Sequence, residues 1–164
     1  MGTLQIGDTL PDVELTGDAG PVKLANVLGH RTAVVYFYPK DETPGCTAEA
    51  CTFRDAYEDF AGAGAVVVGI SRDSLESHGR FKARHQLPFT LLSDPEGKAA
   101  ALFGVKRTLG VLPGRSTFVI DRQGVVRHRF DSQLRVGEHV KQALEIVLQL
   151  EGRAVAPVAQ NSAS

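Results

Sequence analysis

The alternation of apolar and polar residues predicts a chain in which buried strands and amphipathic helices follow one another. Two runs of mainly β-branched and aromatic residues, Thr32–Tyr38 and Ala65–Ser71, are almost continuously apolar. Such runs are typical of strands that are buried on both faces of a sheet. Apolar residues recur every three to four positions over Glu138–Leu150, which predicts an amphipathic helix.

The remaining segments complete an α/β order. A turn-rich stretch predicts an N-terminal hairpin of Val13–Leu15 and Val22–Leu24. The other predicted elements are the helices Thr43–Gly62, Ser74–Gln86 and Lys98–Phe103, and the strands Phe89–Leu92, Ser116–Ile120 and Val125–Phe130. Strands that alternate with helices predict an α/β fold with a mixed central sheet, mostly parallel, to which the closing hairpin adds an antiparallel edge.

Length and charge restrict the classes of function. The 164 residues favour one domain over residues 1–150, and the unpatterned segment 151–164 is expected to be a flexible tail. The net charge of −1 gives no sign of a nucleic-acid or membrane partner. No apolar run approaches the roughly 18 residues that span a bilayer, and no signal-peptide pattern is evident. We therefore expect a cytoplasmic protein, and a monomer.

The chain has only two cysteines, Cys46 and Cys51. A disulfide that closes so short a loop removes little entropy from the unfolded chain, so a purely structural bond has little to stabilise. In a reducing compartment, a close pair of cysteines is more often catalytic, redox-sensing or metal-binding. The spacing by itself leaves these alternatives open.

The residues before Cys46 predict the start of a helix. Thr43 is a good N-cap, and Pro44 suits the first helical position. Cys46 then occupies the third helical position, where backbone N–H groups lack partners and the helix dipole is positive. A thiolate is stabilised in such a place, which favours a reactive cysteine. The alternative is that Cys46 is a small buried apolar residue and that Thr43 is only a cap.

Helical geometry sets the two cysteines apart. Ala50 and Phe53 lie within about 40° of Cys46 around the helix axis, so Cys46 belongs to the apolar face. Cys51 lies about 140° away, and its Cα would be roughly 8.7 Å from that of Cys46 on an intact helix. A disulfide needs less than about 7 Å. If the two cysteines are redox partners, the first turns of the helix must unwind.

A metal site and a disulfide reductase are disfavoured. Two cysteines do not complete a four-ligand zinc site, and the five histidines form no ligand cluster along the sequence. A thioredoxin-type reductase would need C-x-x-C, whereas the spacing here is C-x₄-C. We therefore predict no metal and no cofactor.

The motif around Cys46 resembles the active site of the peroxiredoxins. Pro39, Thr43 and Cys46 match the family pattern P-x₃-T-x₂-C. Cys51 resembles the resolving cysteine of the bacterioferritin comigratory protein/PrxQ group, and Arg115 resembles the arginine that this family places before a late strand. The resemblance covers residues 4–150, nearly the whole chain, and it implies a thioredoxin-like fold.

The resemblance also implies roles for these residues. Cys46 would attack hydrogen peroxide or an organic hydroperoxide, and Cys51 would then close a disulfide that thioredoxin reduces. Pro39, the Thr43 hydroxyl, the Gly45 backbone N–H and Arg115 would bind the substrate. Glu49 would help to hold Arg115 in place, or else it would only complement the helix dipole.

Two alternatives share the same chemistry. The protein could be a peroxide-sensing redox switch, which reacts about once per chain and then needs a dedicated partner. It could also be a protective holdase, although the sequence gives no direct sign of the large assemblies that this would require.

Overall fold

The centre of the fold is one seven-stranded mixed sheet with helices on both faces, seen in a computed structural model that describes residues 4–106 and 114–152. The strands are β1 Glu14–Gly17, β2 Gly20–Lys23, β3 Ala33–Phe37, β4 Val66–Ser71, β5 Thr90–Ser93, β6 Ser116–Ile120 and β7 Val126–Asp131. The helices are α1 Leu24–Leu28, α2 Pro44–Asp55, α3 Tyr57–Gly62, α4 Leu75–His85, α5 Lys98–Phe103 and α6 Val136–Leu150.

The strand order β2-β1-β5-β4-β3-β6-β7 confirms the predicted α/β fold with a mixed sheet. Only the central strands β3, β4 and β5 run parallel. Both edges are antiparallel hairpins, and the N-terminal hairpin joins the sheet where Thr16 pairs with Ser93. The parallel part is therefore shorter than the sequence pattern indicated.

The central strand β3 is buried on both faces, as its continuous apolar run predicted. Val34 and Tyr36 point into a core formed with α2, α3, α4 and α6. Val35 and Phe37 point into the opposite core, formed with α1, α5 and the N-terminal hairpin. Because side chains alternate across a strand, a strand between two helical layers needs apolar residues at every position.

The register between β3 and β6 positions the chemistry of the protein. The two strands are antiparallel, and Phe37 at the end of β3 pairs with Ser116 at the start of β6. The segment after β3 leads into α2, and Arg115 immediately precedes β6. Two segments that lie almost seventy residues apart along the chain therefore meet at one edge of the sheet.

Two local features differ from the prediction. The single helix expected over Thr43–Gly62 is divided at Ala56, which leaves the helical region with φ −95° and ψ 3°. The helix α1 was missed because five residues are too few to show a helical period. It begins at Leu24, which had been assigned to the second strand of the hairpin.

The C-terminal end of the described chain is attached to the domain. The carboxylate of Glu151, the first residue of the predicted tail, accepts hydrogen bonds from Thr32 and Arg122. The rest of that tail, from residue 153 onward, lies outside the described residues, so its flexibility stays a prediction. Within residues 4–106 and 114–152, no helix is both long and apolar enough to cross a membrane.

Gly69 should be intolerant of a side chain. It pairs with Tyr36 across β3 and β4, and an added Cβ would lie 2.8 Å from Leu91 Cδ2 and 2.9 Å from Tyr36 Cζ. We expect Gly69→Ala to lower the free energy of unfolding by about 1–3 kcal/mol, because neither buried neighbour has room to move. Urea unfolding of the reduced protein measures this.

The matched control is Gly79→Ala on the exposed face of α4, where nothing lies within 4 Å of the added Cβ. Alanine is the better helix former, so this variant should gain up to about 1 kcal/mol. Equal stability of the two variants would contradict the packing argument.

Candidate active site

Cys46 lies at the start of α2, where the sequence placed it. Thr43 is the N-cap, Pro44 is the first helical residue and Cys46 is the third. The thiol is free and its residue is only 2% exposed. Because the first backbone N–H groups of a helix have no intrahelical acceptors, the sulfur lies at the positive end of the helix dipole.

Cys51 is also a free thiol, and it is half-buried. It lies on the same unbroken helix as Cys46, since α2 continues to Asp55. The helix therefore holds the two thiols on different sides of its axis, as the periodicity predicted.

Arg115 reaches the sulfur of Cys46 from the start of β6. Its Nη2 donates to Cys46 Sγ at 3.4 Å, and its Nη1 donates to Glu49 Oε1 at 2.6 Å. Its Nε donates to the carbonyl of Gln133 at 3.1 Å, so all three nitrogens of the guanidinium are engaged. Burial lowers the pKa of Arg115. The neighbouring Glu49 and Cys46 together raise it by more than burial lowers it, so the net shift is upward. The group is a fixed cation.

Gly45 makes room for this cation. A Cβ at position 45 would lie 3.1 Å from Arg115 Nη2, which is tighter than ordinary van der Waals contact. The guanidinium therefore packs against the backbone of the first helical turn. The missing side chain explains why a glycine suits this position, and it brings Gly45 into the same cluster as Cys46 and Arg115.

The hydroxyl of Thr43 bonds within its own turn. Thr43 is at the N-cap, but its side chain makes no capping hydrogen bond. Its Oγ1 instead donates to the carbonyl of Lys40 at 2.8 Å. The role of Thr43 in binding a peroxide stays a prediction. Pro39 is half-buried at the end of β3.

Glu49 is a buried carboxyl directly beneath the site. It is fully inaccessible, and its Oε2 has no hydrogen-bond partner in the part of the chain that the structure describes. Burial raises its pKa to about 7, although Arg115 opposes this shift by its charge and its hydrogen bond. One contact to a cation does not compensate for the loss of water around both carboxylate oxygens.

His139 is a residue of this region that the sequence did not single out. Its Nδ1 is 3.7 Å from Glu49 Oε2 and 2.6 Å from the Thr117 hydroxyl, and its Nε2 is 2.8 Å from the carbonyl of Ser132. Burial lowers its pKa to about 4, so the ring is neutral and donates to Ser132. The available signal was its position on the apolar face of α6.

One group of possible metal ligands exists among residues 4–106 and 114–152. Asp41, Asp73 and His78 place their ligand atoms within 4.8 Å of one another, and neither cysteine belongs to the group. The sequence did not indicate it, because the three residues come from separate segments.

The chain resembles known proteins over most of its length. The sequence profile of the AhpC/TSA family matches residues 6–129. The chain is 47% identical over 152 residues to peroxiredoxin Bcp of Bacillus subtilis, which covers 87% of this chain and 94% of the relative.

Two solved structures have the same fold. Peroxidoxin BcpB of Mycobacterium tuberculosis superposes with a TM-score of 0.82 and 40% identity, and the match covers 90% of this chain and 98% of that one. The bacterioferritin comigratory protein of Xanthomonas campestris, solved in a study of its alkyl peroxide reduction, superposes with a TM-score of 0.76 and 32% identity over 88% of this chain and 99% of that one. The chain therefore belongs to the AhpC/TSA family, as a peroxiredoxin of the Bcp and peroxiredoxin Q group.

Proposed function

We propose that the protein is a thioredoxin-dependent peroxidase in which Cys46 reduces hydrogen peroxide and organic hydroperoxides and Cys51 resolves the product. The observation that carries the proposal is the contact between Arg115 Nη2 and Cys46 Sγ at a helix N-terminus. A fixed cation and the helix dipole both favour the thiolate, which is the attacking form of cysteine. Membership of the peroxiredoxin group and the Xanthomonas relative support the substrate class.

The first step converts the thiolate to a sulfenic acid. The sulfur attacks one peroxide oxygen, an S–O bond forms and the O–O bond breaks. The departing oxygen takes up a proton and leaves as water or an alcohol. Negative charge develops on that oxygen, so donors aimed at it lower the barrier. Arg115 and the backbone N–H groups of Gly45 and Cys46 are the donors at this place.

Thr43 and Pro39 complete the proposed substrate site. The Thr43 hydroxyl donates its hydrogen bond to the Lys40 carbonyl. The lone pairs of Oγ1 are therefore left to accept a hydrogen bond from the O–H of an incoming peroxide. Pro39 has no N–H that would hold water, and its ring shields this side of the pocket. Glu49 fixes the guanidinium of Arg115 by the bond to Nη1.

The second step requires α2 to open. The sulfenic acid on Cys46 condenses with the Cys51 thiol, an S–S bond forms and water is released. The two residues lie on one continuous helix, so its first turns must unwind before the sulfurs meet. The bond from Thr47 N–H to the Thr43 carbonyl is among those that open. Thioredoxin then reduces the disulfide by thiol–disulfide exchange. The cytoplasmic location and the monomeric state stay predictions from the sequence.

The decisive experiment is peroxide-dependent NADPH oxidation with thioredoxin and its reductase. The wild-type protein should turn over many times, whereas a redox sensor would react about once per chain and then stop. One equivalent of peroxide should lower the intact mass by about two hydrogens, as an intramolecular disulfide requires.

Cys51→Ser is the matched variant for this experiment. It should keep the first reaction, accumulate sulfenic and then sulfinic acid, and lose coupled turnover. Cys46→Ser should lose both the first reaction and turnover. Undiminished turnover of Cys51→Ser would rule out Cys51 as the resolving thiol, and a disulfide-linked dimer would rule out intramolecular resolution.

Arg115→Met should lose reactivity while keeping the fold. The thiolate loses its neighbouring cation and the leaving oxygen loses a donor, which should slow the reaction with hydrogen peroxide roughly a hundredfold, or about 3 kcal/mol. Alkylation of Cys46 by iodoacetamide at pH 7 should also slow. Arg115→Lys should restore only part of the rate, because an ammonium does not reproduce the planar fork.

Arg80→Met serves as the control for Arg115→Met. Arg80 is an exposed arginine on α4, where it forms an ion pair with Glu76 at 3.8 Å. The Arg80→Met variant should react with peroxide and with iodoacetamide at the wild-type rates. If a folded Arg115→Met variant keeps wild-type rates, the proposed role of Arg115 is wrong.

Glu49→Gln should remove a pH-dependent loss of stability. The pKa of Glu49 is about 7 in the folded protein against an ordinary value of 4.5. Between these values the unfolded chain releases a proton that the folded protein still holds, so rising pH favours unfolding by up to about 3 kcal/mol. The stability of Glu49→Gln relative to wild type should therefore increase as the pH rises through this window.

Urea unfolding of the reduced proteins at several pH values tests this. The exposed Glu76→Gln should show no such trend relative to wild type. If the stability difference between Glu49→Gln and wild type stays constant from pH 4.5 to 7, the prediction is wrong. The carboxyl of Glu49 would then be ionised in the folded protein over this whole pH range.

A further inference from the structure

The segment between β3 and α2, residues 39–43, is the active-site loop, and one of its side chains points into the protein. Asp41 is only 4% exposed. Its Oδ1 accepts from the Tyr38 hydroxyl at 2.6 Å. Its Oδ2 accepts from the Ser77 hydroxyl at 2.8 Å and lies 2.7 Å from His78 Nδ1. Three side chains therefore hold one carboxylate, and two of them belong to α4.

The second ring nitrogen of His78 connects this pair to β5. His78 Nε2 is 3.1 Å from the carbonyl of Leu92, which can only accept. Hydrogen bonds from His78, Tyr38 and Ser77 outweigh the effect of burial and lower the pKa of Asp41. His78 therefore joins the carboxylate of Asp41 to the backbone of β5 through its two ring nitrogens.

The backbone of the loop is attached at the same point. The N–H of Asp41 donates to Asp73 Oδ2 at 2.8 Å. That carboxylate is itself fixed, because its Oδ2 also accepts from the Ser71 hydroxyl at 2.6 Å. The Ser93 hydroxyl donates to the carbonyl of Asp73 at 2.6 Å. The anchor of the loop thus belongs to β4, β5 and the start of α4, none of which carries a proposed catalytic residue.

A metal ion is not needed to explain the cluster of Asp41, Asp73 and His78. Both carboxylates already accept from protein donors, and both nitrogens of the imidazole are engaged. Binding a cation would require the imidazole and the serine hydroxyls to give up these hydrogen bonds. The cluster is complete as a hydrogen-bonded support.

The anchor acts on the residues that meet the substrate. Asp41 lies between Pro39 and Thr43, and the Thr43 hydroxyl donates to the carbonyl of Lys40, the residue beside Asp41. The position of Asp41 therefore sets the positions of Pro39 and Thr43 just before α2. The thiolate, in contrast, is held by α2 and by Arg115. Among the described residues, Arg115 makes no hydrogen bond or ion pair with Asp41, Asp73 or His78.

We propose that the buried His78–Asp41 contact is a positioning element for the active-site loop, which aligns Pro39 and Thr43 with the peroxide without contacting it. This inference rests on the proposed peroxidase function. It predicts that loss of the pair slows the reaction with peroxide and spares the thiolate itself, because displacement by a fraction of an ångström is enough to weaken catalysis by a positioned group.

The test compares two second-order rates of Cys46 under conditions where each variant is fully folded. His78→Gln should react with hydrogen peroxide about tenfold more slowly, while its alkylation by iodoacetamide changes less than about twofold. Ser77→Ala removes one bond to Asp41 and should show a smaller loss of the same kind. If His78→Gln does not fold, Ser77→Ala and the isosteric Asp41→Asn decide the question.

Two controls separate positioning from general destabilisation. Leu28→Ala removes buried volume from α1, in the core on the opposite face of the sheet, and should lower stability without changing either rate. The double variant Asp41→Asn/His78→Gln should be no slower than the slower single variant, because both changes remove the same contact.

The outcomes are distinct. A wild-type protein that does not react with peroxide refutes the proposed function. An active wild type with an unchanged ratio of the two rates in His78→Gln and Ser77→Ala refutes the positioning role alone. Independent, multiplicative losses in the double variant would also refute it, and a peroxide-specific loss in the single variants supports it.

Discussion

The site depends on the shared cation of Arg115. Glu49 and Cys46 are three residues apart on one face of α2, and both are buried. Two such groups could not both be anionic away from water without a positive partner. Arg115 reaches both of them, at 2.6 Å from Glu49 Oε1 and 3.4 Å from Cys46 Sγ, and the Gln133 carbonyl orients its Nε. The antiparallel register of β3 and β6 delivers it there.

Among the residues that the structure describes, the core around this site contains buried polar atoms without hydrogen-bond partners, which a purely structural core would avoid. Glu49 Oε2 and the Tyr36 hydroxyl are buried without a hydrogen-bond partner in the described part of the chain. Burial, with Glu49 and Cys46 adding to it, raises the pKa of Tyr36, so its hydroxyl stays neutral. Unsatisfied polar groups cost stability and are expected where function competes with folding. Both groups belong to the core cluster around Cys46 or to α2 beside it.

Two supports flank the start of α2, and they come from different parts of the sheet. Arg115 and Glu49 hold the side of the sulfur, from the start of β6 and from α2 itself. Asp73, from the turn after β4, and His78, from α4, hold Asp41 in the loop that precedes the helix. The proposed disulfide requires the first turns of α2 to unwind, and these turns carry both Cys46 and Glu49.

The sequence alone determined the features that depend on local order. The apolar runs of β3 and β4, the periodicity of α6 and the Thr43–Pro44 helix start follow from neighbouring residues, and the structure has them where they were expected. The tertiary structure decided the partners of Arg115, His139 and His78. The His78–Asp41 contact joins residues 37 positions apart, and the Arg115–Cys46 contact joins residues 69 positions apart. Such pairs form only when strand register brings distant segments together, and no local pattern of residues encodes that register.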